Sequence, residues 1–300
     1  MNLQNTNLCV PLGLVMAILA SSAMAVLASS AMAVDMKPML FSTEKGIVEF
    51  DSRGEVIWKL DTGSISRDVW RLENGNILFP HYSKETRQGG VREVNRAGET
   101  MWEFDTKGWA LSCQRLPNGN TLIGASDQCA LLVVTPQGDV VNRIKVKMQT
   151  PHPHSLTMAR QLSNGNFIVA EEMEKLIREY TPDGKVVWEY ATPFTPFSVA
   201  RLDNGNTVYS GQHGIQEISP NKEVVWDLTK DDVRAMGVRW FAGFQIMPNG
   251  NILIANAGGK VPFFEVNRDK DVVWESPLST EEAGLGHGIY LTQFSGKVIR

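Results

Sequence analysis

Residues 160–190 read RQLSNGNFIVAEEMEKLIREYTPDGKVVWEY, and the parts of this stretch recur along most of the chain. A strand ending at Leu162 meets Asn164-Gly165, a pair that accepts the positive φ angles of a tight hairpin. Phe167 to Ala170 reads as a returning second strand and Leu176 to Tyr180 as a third. Pro182-Asp183-Gly184 then turns the chain into a fourth, Val186 to Tyr190, rich in β-branched and aromatic residues. The stretch predicts four antiparallel strands in one meander.

The Asn-Gly-Asn turn returns at Asn74, Asn118, Asn164, Asn204 and Asn249, and the fourth strand returns around Trp58, Trp102, Trp188, Trp226 and Trp274. A further copy, GDVVNRI, has Asn142 in the tryptophan position. A repeat of roughly 40 to 48 residues built from four strands is the pattern of a propeller blade, because one such sheet cannot bury both faces until neighbours stack on it. Six copies of the fourth strand predict an all-β, six-bladed β-propeller. The first copy lacks an opening strand, whereas the chain ends in GIYLTQFSGKVIR, an opening strand with nothing after it. The C-terminal strand is therefore expected to complete the N-terminal blade, which removes exposed sheet edges.

Working outward, the second complete copy departs from the rest. Its third strand carries Val133 where the others carry Glu49, Glu93, Glu179, Glu217 and Glu265, and its fourth carries Asn142 for Trp. Loss of both in one copy implies that the Glu and the Trp belong to one packing arrangement. Arg71, Arg115 and Arg201, just before the hairpins, are the expected partners of those glutamates, within or between blades.

The 300 residues carry a net charge of -4, which excludes a basic nucleic-acid footprint. Residues 10–34 are small and apolar, and Ala23-Met24-Ala25 and Ala31-Met32-Ala33 fit the cleavage pattern of a secretory leader. The expected organisation is a leader over residues 1–33, or a membrane anchor if uncleaved, and one propeller over residues 34–300, periplasmic or secreted. Cys113 and Cys129 are expected as buried thiols, although such a compartment permits a disulfide.

Strict alternation of strands puts the Asn-Gly-Asn and Pro-Asp-Gly turns on one end of the blades. The loops joining second to third strands, and the connections between blades, fall on the other. All five histidines, His81, His152, His154, His213 and His287, map to that varied end. With Trp109, Trp240 and Glu171 they are the candidate ligand-binding residues of a module that takes a small molecule, glycan or protein near the axis. No Walker loop, nucleophile elbow, HExxH or CxxC is present, and His-Pro-His alone does not specify a metal site.

The recurrent DxxGxxxW pattern and TPDGKVVWEY resemble the tryptophan-bearing repeats of quinoprotein (PQQ-like) β-propellers, over about Met39 to Arg300. HSLTMARQLSNGNFIVAEE is similar to the repeat of bacterial arylsulfotransferases, six-bladed periplasmic enzymes that use a histidine near the axis as nucleophile. That resemblance implies His154 or His287 as nucleophile and Arg239 as the anion-holding residue, with Leu156 standing where the family's His-x-Asn has Asn. A quinone- or metal-dependent oxidoreductase is a third reading. The adjacent-cysteine pair of quinoprotein alcohol dehydrogenases is absent, and no cofactor is assigned.

Overall fold

The computed structural model describes residues 36–44, 46–83, 85–148, 152 and 154–282, and the backbone of 289–294. Within residues 34–300, a compact unit, the strands form six four-stranded antiparallel sheets. Blade 1 consists of Met39–Thr43, Gly46–Phe50 and Val56–Asp61, and Ile289–Phe294 completes it by pairing with Met39–Thr43. The ring closes as its two incomplete ends require.

Blade 2 comprises Trp70–Arg71, Ile77–Tyr82, Gly89–Val94 and Thr100–Asp105, and blade 3 comprises Ala110–Arg115, Thr121–Ala125, Ala130–Val134 and Val140–Lys145. Blade 4 comprises Leu156–Gln161, Phe167–Glu171, Leu176–Tyr180 and Val186–Ala191, so the stretch that decided the fold is one complete sheet. Blade 5 follows with Pro196–Arg201, Thr207–Gly211, Gly214–Ile218 and Val224–Thr229, and blade 6 with Trp240–Ile246, Ile252–Ala257, Phe263–Val266 and Val272–Glu275. The long connection into blade 6 holds a short 3-10 turn at Arg234–Met236. In blade 2 pairing continues through His81↔Gly90 and Tyr82↔Gly89, so His81 lies in a strand. Gly90 permits this, because a Cβ there would meet the Phe104 carbonyl oxygen at 2.1 Å.

The core lies between blades. Phe41 and Phe50 of blade 1 pack with Phe263 of blade 6, and Leu40, Ile47 and Phe79 join blades 1 and 2. Each such side chain, removed from water, contributes about 1.5–3 kcal/mol.

A polar clasp reinforces this packing, and it explains the repeated residues. Each repeated glutamate stands directly across from the repeated tryptophan in the ladder, as in Glu93↔Trp102 and Glu179↔Trp188. The next blade supplies a cation that pairs with the glutamate and covers the indole. Arg115 binds Glu93 at 2.7 Å and lies 5.4 Å over Trp102; Arg201 binds Glu179 at 2.9 Å and lies 5.1 Å over Trp188. Arg268 does the same for Glu217 and Trp226, and Lys37 for Glu265 and Trp274. At the first junction Arg71 and Arg96 both pair with Glu49, and Arg96 covers Trp58. The second asparagine of the hairpin completes the set, with Asn166 Nδ2 donating to Glu179 Oε1 at 2.7 Å.

Candidate functional site

Inner strands begin at the varied end, so the connections between blades deliver their residues around the axis there. A cavity of about 410 Å³ opens among them. Arg67, from the connection into blade 2, His154, from the connection into blade 4, and Glu172, just after the second strand of blade 4, supply its charges. Trp240, Phe197 and Met158 supply apolar wall, and Thr157, Thr195 and Gln212 neutral polar groups. Phe197 meets Trp240 edge to face, with centroids 6.5 Å apart.

Glu172 Oε2 is screened from solvent and accepts no hydrogen bond from the described residues. The nearest ionisable groups to it are Arg67 Nη1 at 3.7 Å and His154 Nδ1 at 4.0 Å, both beyond hydrogen-bond reach. Burial pushes the Glu172 carboxyl up to about 7, against the pull of Arg67. A carboxyl in that range holds or releases a proton near neutrality, which suits acid-base exchange with a bound molecule. Behind it, the His154 ring lies 5.3 Å from Trp109 and 5.5 Å from His152, and Trp109 stacks on Tyr82 at 3.6 Å.

The residues singled out from the sequence separate into groups. His154 and Trp240 line the cavity; buried Trp109 backs His154, and exposed His152 flanks it. Arg239 stays exposed, its guanidinium 4.5 Å over the Trp240 ring, and Arg67 is the cation inside the cavity. His213 is exposed and meets Phe194 edge-on at 6.3 Å. His81 lines a different, polar cavity with Arg92, Glu103 and Asp105. His287 lies outside the described residues. Glu171 does not reach the cavity: it is the last residue of its strand, fully buried, and accepts from Tyr180 Oη at 2.7 Å and Arg178 Nη1 at 2.6 Å. Its neighbour Glu172 takes the place expected for it.

Asp68, fully buried, receives both Nη1 and Nη2 of Arg160 at 2.8 and 3.1 Å, and Cys113 N donates to the same carboxylate at 3.1 Å. A separate cavity on the hairpin end begins beyond this pair, lined by Trp70, Gln114, Arg160 and Gln161. No disulfide joins Cys113 to Cys129. Among the described residues, no group of three or more His, Cys, Asp or Glu side chains is arranged to hold a metal ion. No helix among them is long and apolar enough to cross a membrane.

No protein-family profile matches the chain, and no curated protein matches it. The resemblance to quinoprotein repeats and arylsulfotransferases therefore gains no support beyond a shared propeller fold. Solved structures are similar in fold. A protein of unknown function from Bacteroides caccae superposes with a TM-score of 0.71 at 21% identity, over 86% of this chain and 98% of that one. A streptogramin B lyase superposes with a TM-score of 0.56 at 13% identity, over 90% and 95%. Virginiamycin B lyase from Staphylococcus aureus gives 0.55 at 11% identity, over 88% and 94%. At these identities the likeness is one of fold, and the chain is a six-bladed β-propeller similar to these proteins.

Proposed function

We propose that the propeller binds a small, planar and largely apolar molecule in the axial cavity, with its polar end against Glu172, Arg67 and His154. The observation that carries this reading is Glu172 Oε2, a screened carboxylate oxygen without a hydrogen-bond donor, facing a cavity walled by Trp240 and Phe197. A buried acceptor left unmade costs about 1–3 kcal/mol, and a ligand that brings an N–H or O–H recovers it. The cavity volume falls within the range of small-molecule sites. The test is a screen of planar heteroaromatic fragments followed by tryptophan fluorescence. Fragments that bind are expected to lose affinity in Glu172→Gln and Trp240→Ala and to keep it in His81→Ala. Binding that survives both cavity substitutions would end this reading.

An enzymatic role at the same cavity is favoured by one observation, the Glu172 carboxyl at about 7 beside His154. Under that reading Glu172 moves a proton while His154 acts as base or nucleophile, and Arg67 takes the anion-holding part expected of Arg239. Streptogramin B lyase and virginiamycin B lyase are enzymes by name, and a histidine-to-alanine variant of the latter is described as catalytically inactive. The comparison supports only that such a fold accommodates an enzyme; the chemistry here rests on Glu172 and His154. Transfer of sulfate from a chromogenic aryl sulfate, abolished in His154→Ala, would mark the arylsulfotransferase variant of this reading. Export, inferred from the apolar N-terminal segment, is tested by fractionating cells that express the full chain.

A further inference from the structure

The axial site does not use Glu171, Tyr180 or Arg178, although all three are buried polar residues of blade 4. Arg178 has a counterpart in Arg92, which pairs with Glu103 as Arg178 pairs with Glu189, but Glu171 and Tyr180 have none. The positions matching Tyr180 in the other blades are Phe50, Val94, Val134, Ile218 and Val266. A polar group repeated in every blade serves the repeat, whereas one confined to a single blade serves that blade's own loops.

Their bonds lead to one place. Arg178 Nη1 donates to the Lys147 carbonyl at 2.6 Å as well as to Glu171, and Lys147 N donates to Tyr180 Oη at 3.1 Å. Tyr180 Oη in turn donates to Glu171 Oε1. Both backbone groups of Lys147 are thus held by side chains, at the point where the chain leaves blade 3 toward His152 and His154. The far end of the same connection is held by Glu172 N, which donates to Ser155 O at 3.0 Å, and by Ser126 Oγ, bonded to Leu156. Glu171 is the chain neighbour of Glu172, whose carboxylate lines the cavity.

We infer that Glu171, Tyr180 and Arg178 are positioning residues: they latch the base of the histidine-bearing connection onto blade 4 and thereby set the spacing of His154 from Glu172. The inference rests on the axial cavity being the ligand site, but its test needs no ligand. Tyr180→Phe removes the latch hydroxyl with almost no change of volume. Tyr209→Phe makes the same deletion in blade 5, where the hydroxyl bonds Gln216. In Tyr180→Phe the Lys147 amide is expected to exchange hydrogen about fivefold faster, the loss of one hydrogen bond. The imidazole titration of His154, followed by NMR, is expected to shift by a few tenths of a pH unit, because its distance to Glu172 changes. Tyr209→Phe moves neither. Equal loss of melting temperature in the two variants, with exchange at Lys147 and titration of His154 both unchanged, would reduce the cluster to plain core structure and overturn the inference. Glu171→Gln, which keeps one acceptor for two donors, is expected to give the same two signals more strongly. Failure of fragments to bind the wild-type cavity would count against the ligand site and leave the latch measurements standing.

Discussion

The glutamates of the blade junctions and Glu172 of the axial cavity are all largely buried, yet their chemistry is opposite. Burial works against the charge of Glu265, but Asn251 and Lys37 hold its carboxyl below the usual range. Glu172 is also penalised by burial, with only a distant Arg67 to offset it, so its carboxyl rises to about 7. One set of carboxylates is finished structure. The other is left with its hydrogen bonding incomplete, on the end of the molecule where the loops do not repeat.

The largest expected effect comes from breaking a finished set. Glu179→Leu leaves Arg201 without its partner and Asn166 without its acceptor, and is expected to lower unfolding free energy by about 3 kcal/mol. Denaturant titration measures it.

Glu172→Gln should act in the other direction, and through pH. An acid whose folded pKa lies above its unfolded value of 4.5 binds more protons when folded. Its contribution is therefore fully present below about pH 4.5 and is lost as pH rises through about 7, on the order of 3 kcal/mol in all. Glu171, pushed up to about 7 by burial against Tyr180 and Arg178, adds a slope of the same sign. Glu172→Gln is expected to be more stable than wild type at about pH 8 and to flatten part of this slope in melts between about pH 5 and 8. An unchanged profile would place Glu172 with the finished carboxylates.

Smaller effects sharpen the contrast by using the junction that nature left different. Between blades 3 and 4, Val133 replaces the glutamate, Gln161 the arginine and Asn142 the tryptophan. Installing that trio at the next junction, as Glu179→Val, Arg201→Gln and Trp188→Asn together, should cost about 1–2 kcal/mol, less than Glu179→Leu alone, because no charge is stranded. Asn142 keeps one duty of the lost indole. Its Nδ2 donates to Pro182 O at 3.1 Å, as Trp188 Nε1 donates to Pro220 O at 3.2 Å. Asn142→Ala is accordingly expected to cost about 0.5–1 kcal/mol.

The clasp was legible in the sequence because it repeats. Glu and Trp recur at matching positions, and their joint absence from one copy marked them as a unit before any distance was known; the cations were legible only as Arg71, Arg115 and Arg201, whereas Arg96, Arg268 and Lys37 come from other positions. Ring closure was legible for the same reason, in complementary incomplete ends. The cavity was legible only as an end of the molecule. His154 and Trp240 stood out by residue type, whereas Thr157 and Met158 carry no such signal. Glu171 and Glu172 could not be told apart, because which of two adjacent carboxylates enters a cavity depends on where the strand stops alternating. Arg67 and Arg239 both sit beside inner strands. Only the placement of Trp240, which holds Arg239 on its face, decides between them.

The Asp68–Arg160 pair stands next to both cavities. Arg67, beside Asp68 in the chain, lines the axial cavity, and Arg160 itself lines the cavity at the hairpin end. Removing either partner would leave a buried charge unmatched, so a substitution there is expected to be felt at both ends of the propeller.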